Sequence, residues 1–176
     1  QREDVGAVGA KLYYEDDTIQ HAGIILGLGT DRIAGHSHYT FPRDHIGYMG
    51  KLFYAHNLSA VTGACMMVKK EVFFKVGGLN TELKIAFNDI DFCLKLRDLG
   101  YLIVWNPYAE LYHYESKSRG FEDSKEKKER FKAECEKFRK LWGKTIEKGD
   151  PYYNPNFSLD ANYQIDFDKL AKSCKE

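Results

Sequence analysis

The run NDIDFCLKLRDLG (residues 88–100), followed without a break by YLIVW (residues 101–105), constrains the fold more than any other stretch of the chain. Phe92, Leu96 and Leu99 recur at i, i+4 and i+7, the period of an amphipathic helix. Asn88 stands where an N-cap is needed, Asp89 and Asp91 sit in the first turn where the helix dipole favours acids, and Gly100 occupies the C′ position. A helix that delivers the chain straight into a short apolar strand is half of a layered α/β unit.

The remaining pattern extends that reading. Residues 5–14 form a buried strand whose Gly6 and Gly9 admit a close neighbour, residues 15–18 a turn, and residues 19–26 a second apolar run. Residues 61–68 are strand-like, and residues 69–76 form a short helix stopped by Gly77 and Gly78. Pro107 ends the YLIVW strand, and AELYHY (residues 109–114) starts another extended piece. Between them, residues 27–57 lose all periodicity and hold many His, Tyr, Phe and Gly, as a binding or lid loop would. Residues 121–142 predict a long helix with Phe131, Cys135, Phe138 and Trp142 on one stripe and charges elsewhere. Residues 150–159, DPYYNPNFSL, begin an irregular extension. The expected organisation is a main α/β part over residues 1–115, a loop and amphipathic helix over 116–149, and an extension over 150–176.

Composition excludes several function classes. Lys plus Arg and Asp plus Glu are 26 each, so no broad basic field exists for nucleic acid. No apolar run approaches the roughly 20 residues of a membrane span. The four cysteines form no close pair, which favours free thiols and a reducing, cytoplasmic setting over a disulfide framework. Peripheral association with the inner face of the plasma membrane stays open. The 12 tyrosines lean toward sugar handling, since phenol rings stack on pyranoses and donate to hydroxyls. The chain opens on QREDVGAVG without a methionine, and is expected to be a piece of a longer protein. Matches to glycosylation sequons at Asn57 and Asn156 are chance in such a setting.

Several side chains are candidates for chemistry. Asp91 is expected as a first-turn acid paired with Lys95 at i+4, whereas Asp89 can project beyond the helix end. His113 follows a buried strand, where functional side chains of α/β sheets gather. Thr62, Gly63 and Ala64 offer a hydroxyl and a bare backbone at a strand entrance, suited to a polyhydroxylated ligand or to a bulge. His36 and His38 have metal-pair spacing but no third ligand at a defined distance, and His21 and His56 say nothing alone.

The blocks VGAVGAKLYY and TIQHAG, NLSAVTGACMMVKKEVFFKVGGLNTEL, AFNDIDFCLKLRDLGYLIVWNPYAELYHYESKSRG and WGKTIEKGDPYYNPNFSL occur in an order that resembles the C-terminal part of a family 2 glycosyltransferase of GT-A fold. The likeness covers about residues 4–160 and is strongest to bacterial enzymes that build rhamnan, O-antigen and other surface polysaccharides. It implies an inverting transferase using a nucleotide-sugar donor and a glycan or lipid-linked acceptor. It also implies Mg²⁺ or Mn²⁺ held by a DxD motif in an upstream donor-binding half that this chain lacks, so the chain alone is expected to be inactive. The family's ED signature falls on Asn88 and Asp89, with Asn88 in place of the glutamate and Asp89 as catalytic base. The family's histidine near the metal falls on His113, and its acceptor wall on Thr62, Gly63 and Ala64. Asn88, Asp91, Tyr48 and Tyr54 join the acceptor side, and Tyr39 and Phe41 are further stacking candidates in the long loop. Two rivals remain: a sugar-binding or scaffolding module without catalysis, and a metallohydrolase built on His36, His38 and Asp89.

Overall fold

The computed structural model describes residues 2–114 and 124–173. In chain order the elements are β1 (Val5–Tyr13), β2 (Ile19–His21), β3 (Ile24–Leu26), β4 (Ala34–His36), β5 (His56–Leu58), β6 (Met66–Val68), α1 (Lys70–Lys75), α2 (Asn88–Asp98), β7 (Leu102–Tyr112), α3 (Lys125–Glu147) and α4 (Phe167–Ser173). Two 3₁₀ segments, Tyr48–Phe53 and Gly63–Cys65, complete them.

Strand β1 is the spine. It pairs in parallel with β7 and antiparallel with β2 and β6, while β5 closes the far side of β7 and β3 pairs with β4 in a separate ribbon. This mixed sheet with packed helices is the α/β architecture expected, consistent with a GT-A type domain. The parallel pair is joined through α2, the helix-to-strand unit that the sequence pattern announces. Ile90, Phe92, Cys93, Leu94 and Leu96 of α2 are buried against Ile103 and Trp105 of β7, and the Trp105 indole donates to the Ala10 carbonyl at 3.2 Å.

Four expectations need correction. Pro107 does not end a strand: β7 runs on to Tyr112, and Pro107 to Ala109 fall between the pairs Ala10–Asn106 and Lys11–Glu110. A proline has no amide for the ladder, and an irregularity that skips it lets the strand continue. Residues 61–68 are not one strand but the 3₁₀ turn Gly63–Cys65 leading into short β6. Residues 27–57 are not structureless, since they contain β4, a 3₁₀ segment and most of β5, with Ser37 and His38 buried. Arg43 ties this segment to the sheet, donating to Asp17 at 3.1 Å and to Glu110 at 2.8 Å, its guanidinium 4.6 Å from the centre of the Tyr13 ring.

The fourth correction concerns the start of α2. Asn88 is not its cap but its first residue; the cap position is Phe87, in the left-handed conformation at φ 65° with no side-chain cap bond. A phenylalanine there costs on the order of 1–2 kcal/mol of backbone strain. Its ring packs against Phe131 and Phe138 of α3, with centroids 5.6 and 5.2 Å apart, and this apolar contact offsets the strain. Helix α3 begins at Lys125 under a Ser124 cap; the expected start at Phe121 lies outside the described residues. The irregular extension is anchored by buried Tyr153 and Phe157 packed on Ile25 and Leu28, and it ends in α4.

Candidate functional site

The site is built where the Val61–Ala64 loop meets the front of α2. Gly9 makes this possible, because a Cβ there would lie 2.5 Å from Cβ of Val61. With β1 bare at that point, the loop settles onto the sheet, and each of its polar backbone groups named here has a partner. The Cys93 thiol lies 3.8 Å from the Val61 carbonyl, Thr62 N–H donates to His21 Nε2 at 3.3 Å, Gly63 N–H to Asp89 Oδ2 at 2.8 Å, and Ala64 N–H to the Thr62 hydroxyl at 3.3 Å. Burial pushes the Cys93 thiol up to about 12, so it stays protonated and serves as a donor. A loop accounted for in this way holds its shape without a strand ladder.

Asp89 is half-buried. Its Oδ1 accepts the Ile90 amide at 2.9 Å and its Oδ2 the Gly63 amide. A carboxylate has about four acceptor positions, so two further lone pairs are left for a ligand hydroxyl. A Cβ on Gly63 would meet the Cβ of Asp89 at 3.4 Å, an ordinary van der Waals contact, so what Gly63 supplies here is its amide.

Beside this loop lies a cavity of about 370 Å³, lined by Tyr14, Gln20, His36, Tyr39, Thr62 and His113, with Asp160 and Asn162 from the C-terminal extension. Two aromatic faces among convergent amide, hydroxyl and imidazole groups suit a small polar ligand with one apolar face, as a sugar ring has. Asp89 does not line the cavity but is bonded to the residue next to Thr62. The His113 ring is oriented by Gln20. The Gln20 amide nitrogen donates to the His113 carbonyl at 3.2 Å, which turns Gln20 Oε1 to His113 Nδ1 at 2.8 Å. Nδ1 therefore carries a proton, and in the neutral ring the lone pair is on Nε2.

The structure thus brings Thr62, Gly63, Ala64 and Asp89 together, with His113 on the cavity that Thr62 alone of these four lines, and Asn88 next to Asp89. Other expected members stand elsewhere. Asp91 is 1% exposed and does not face an acceptor: its Oδ1 accepts the Trp142 indole N–H at 2.8 Å, and its Oδ2 meets the Lys95 ammonium at 2.7 Å and no neutral donor among the described residues. Tyr48 stacks on Tyr163 at 5.4 Å and touches Phe157, and Tyr54 lies against His56, so neither lines the cavity. Phe41 packs on the core, and of the four loop aromatics only Tyr39 reaches the cavity. His36 and His38 do not form a metal pair: His38 is buried against Ser37, Tyr48 and Tyr163, and no cluster of three or more metal-binding side chains occurs among the described residues.

Sequence reasoning missed the carboxylate that supports the site from behind. Glu134 of α3 is 4% exposed and accepts the amides of Lys84 at 2.9 Å, Ile85 at 3.2 Å and Ala86 at 2.9 Å. It thereby does for the approach to α2 what a side-chain cap would do. The only sequence signal was an acid on the apolar stripe, adjacent to Cys135.

Comparison with known proteins places this architecture. Residues 10–148 match the family model described as glycosyl transferase family group 2. An uncharacterized protein, y4gI, of Sinorhizobium fredii is 54% identical over 92% of the chain, and the O-antigen biosynthesis protein RfbC of Myxococcus xanthus is 34% identical over 92%. An N-acetylglucosaminyl-diphospho-decaprenol L-rhamnosyltransferase of Mycobacterium tuberculosis is 32% identical over a shorter stretch, 34% of the chain and 20% of the relative. The chain spans 18% of the length of the first relative and 12% of the second. No solved structure matches it at a significant level. On the family match and on the two long alignments, the chain belongs to the group 2 family of glycosyl transferases.

Proposed function

We propose that the chain is the acceptor-side part of an inverting glycosyltransferase acting in bacterial cell-surface polysaccharide synthesis. Its donor is a nucleotide sugar and its acceptor a hydroxyl of a glycan or lipid-linked sugar. The observation that carries the reading is the Asp89 carboxylate, fixed by two amides beside a cavity that Thr62 and His113 share. The names of the O-antigen and rhamnosyltransferase relatives support the same class of reaction.

In this reading Asp89 accepts the proton of the acceptor hydroxyl as that oxygen bonds to the anomeric carbon. The bond from that carbon to the nucleotide diphosphate breaks on the opposite face, which inverts the centre. The Gly63 and Ile90 amides hold the carboxylate in one rotamer, so little reorganisation precedes proton transfer. Thr62 and Tyr39 orient the acceptor, one by its hydroxyl and one by its ring. A bound Mg²⁺ or Mn²⁺ would offset the charge that grows on the diphosphate. The lone pair on His113 Nε2 fits such an ion, and the DxD ligands would come from an upstream donor-binding part of the same polypeptide. Strand β6 supports the presence of such a neighbour: among the described residues it pairs with β1 alone, and Met67 and nearby Phe74 are 76% and 67% exposed. A cytoplasmic location agrees with free thiols at Cys65, Cys93 and Cys135, and no described helix is long and apolar enough to cross a membrane.

The test is an assay of the intact polypeptide with labelled UDP-, dTDP- and GDP-sugars and polysaccharide acceptors, with and without a chelator. Metal-dependent transfer of label to the acceptor is expected. Release of free labelled sugar with no acceptor product would overturn the reading in favour of a hydrolase.

A further inference from the structure

Beneath the Val61–Thr62 peptide lies a histidine pair that the chemistry above does not use. His21 is fully buried, and its Nδ1 is 2.9 Å from Nδ1 of His36, with the rings nearly perpendicular at 83° and centroids 5.1 Å apart. A close contact between two ring nitrogens is ambiguous by itself, because either can donate. The Thr62 amide removes the ambiguity. An amide N–H can only donate, and it donates to His21 Nε2 at 3.3 Å. His21 Nε2 is therefore without a proton, which excludes the imidazolium form. The neutral ring must then carry its one proton on Nδ1, and that proton can only be shared with His36 Nδ1. His36 Nδ1 is the acceptor in turn, so His36 is also neutral and carries its own proton on Nε2. Burial, and beyond it the neighbouring His36, lowers the His21 pKa well below the ordinary histidine value, which agrees with a permanently neutral ring.

The chain of bonds has two ends. One is His36, which lines the cavity beside Tyr39, with ring centroids 6.1 Å apart. The other is the Val61–Thr62 peptide, which carries the Thr62 N–H, and the next amide along the chain, from Gly63, holds Asp89 Oδ2. We propose that His21 and His36 are positioning residues of the site, a pair locked in opposite tautomers that fixes the Val61–Thr62 peptide and, through the Gly63 amide that follows it, the Asp89 carboxylate. If His36 loses its acceptor nitrogen, the buried His21 proton has no partner on that side. His21 then does best by moving the proton to Nε2, where it opposes the Thr62 N–H and pushes the loop off β1. The consequence for turnover rests on the reading of Asp89 as base; the tautomers do not.

Long-range proton–nitrogen NMR spectra of the ¹⁵N-labelled chain read the tautomers directly. The expected pattern at neutral pH is His21 protonated on Nδ1, opposite to the form imidazole side chains favour in water, and His36 protonated on Nε2. His21 protonated on Nε2, or either ring doubly protonated, would overturn the proposal. Two variants then test the coupling. His36→Phe keeps a ring and removes the acceptor, whereas His36→Asn can place its Oδ1 where Nδ1 stood. With one neutral hydrogen bond lost, hydrogen exchange at the Thr62 and Gly63 amides should quicken about tenfold in His36→Phe and far less in His36→Asn. In the intact enzyme kcat should fall by about the same factor in His36→Phe and recover most of it in His36→Asn. Equal exchange and equal kcat in the two variants would show that the acceptor nitrogen plays no such part. The spectra and the exchange rates need no turnover, so failure of the transferase reading is told apart from failure of the histidine pair.

Discussion

The two faces of helix α2 treat their carboxylates in opposite ways. On the face toward the Val61–Ala64 loop, Asp89 is half-buried and bound by two amides, with acceptor capacity to spare. On the face toward α3, Asp91 is buried between an indole N–H and an ammonium, and on α3 itself Glu134 is closed off by the three amides of Lys84, Ile85 and Ala86. A single residue, Ile90, separates Asp89 from Asp91 in sequence, yet one is left available for chemistry and the other is consumed by structure. A buried carboxylate costs several kcal/mol of desolvation, so it persists only where donors meet it fully. A carboxylate that is to take a proton must keep part of its acceptor capacity open. The back face carries the fold and the front face the function, and that division can be broken from either side.

The largest effect on stability is expected at the back. Glu134→Ala strips the partner from three amides at the approach to α2, and it should cost roughly 3 kcal/mol or more in a urea unfolding series. A change under 1 kcal/mol would mean that water replaces the carboxylate there and that α3 is not a support. Trp142→Phe is next: it keeps the ring but removes the donor to Asp91 Oδ1, and should cost about 2 kcal/mol, the worth of a bond to a buried charge.

The front face should be the one that feels acid. Residues 36–57, which bring His36 and Tyr39 to the cavity, depend on neutral histidines, above all His38, whose pKa burial lowers to about 3, helped by the charges of His45 and Lys51. The folded-state pKa lies below the unfolded value of 6.5. The unfolded chain therefore binds the proton first, and stability is full above about pH 6.5 and is lost as pH falls toward the folded value. His38 alone should remove about 1.4 kcal/mol by pH 5.5. His38→Asn should flatten that share of the pH dependence, since asparagine tolerates the left-handed backbone that His38 adopts at φ 53°. An unchanged acid slope in this variant would relocate the sensitivity away from the front.

How much of this was legible in the sequence follows the same division. The α2–β7 unit was plain, because one helical stripe and one apolar run state their partners locally. So was the outward position of Asp89, on its place in the first turn and on the family resemblance. The cap of α2 was not, because Phe87 accepts a strained backbone for contacts with Phe131 and Phe138, more than forty residues away in sequence. Asp91 was half-read: its pair with Lys95 is local and visible, but the indole that buries it comes from Trp142. The contribution of Glu134 was hidden for the same reason, as its three partners are backbone amides, which have no sequence signature. His21 gave no signal, and His36 only the misleading one of a metal pair with His38, since it takes the β2 and β4 strands and the Thr62 amide to bring His21 and His36 together. Pro107 misled because a strand with a bulge and a strand that stops look alike in one dimension.

The smallest expected effect on stability is at Asp89, where asparagine still accepts the Gly63 or Ile90 amide and the melting temperature should barely move. That near-silence in folding makes Asp89 the place to test the division between the two faces. The measurement is kcat for sugar transfer by the intact enzyme carrying Asp89→Asn or Asp91→Asn, each compared with the parent at matched folded fraction. Asparagine cannot take a proton from the acceptor hydroxyl, so Asp89→Asn should lower kcat by roughly 10²–10⁴-fold with normal melting. Asp91→Asn should lose stability while the folded fraction keeps most of its turnover. Near-full turnover in Asp89→Asn, together with a well-folded but inactive Asp91→Asn, would contradict the assignment of chemistry to the front face and structure to the back.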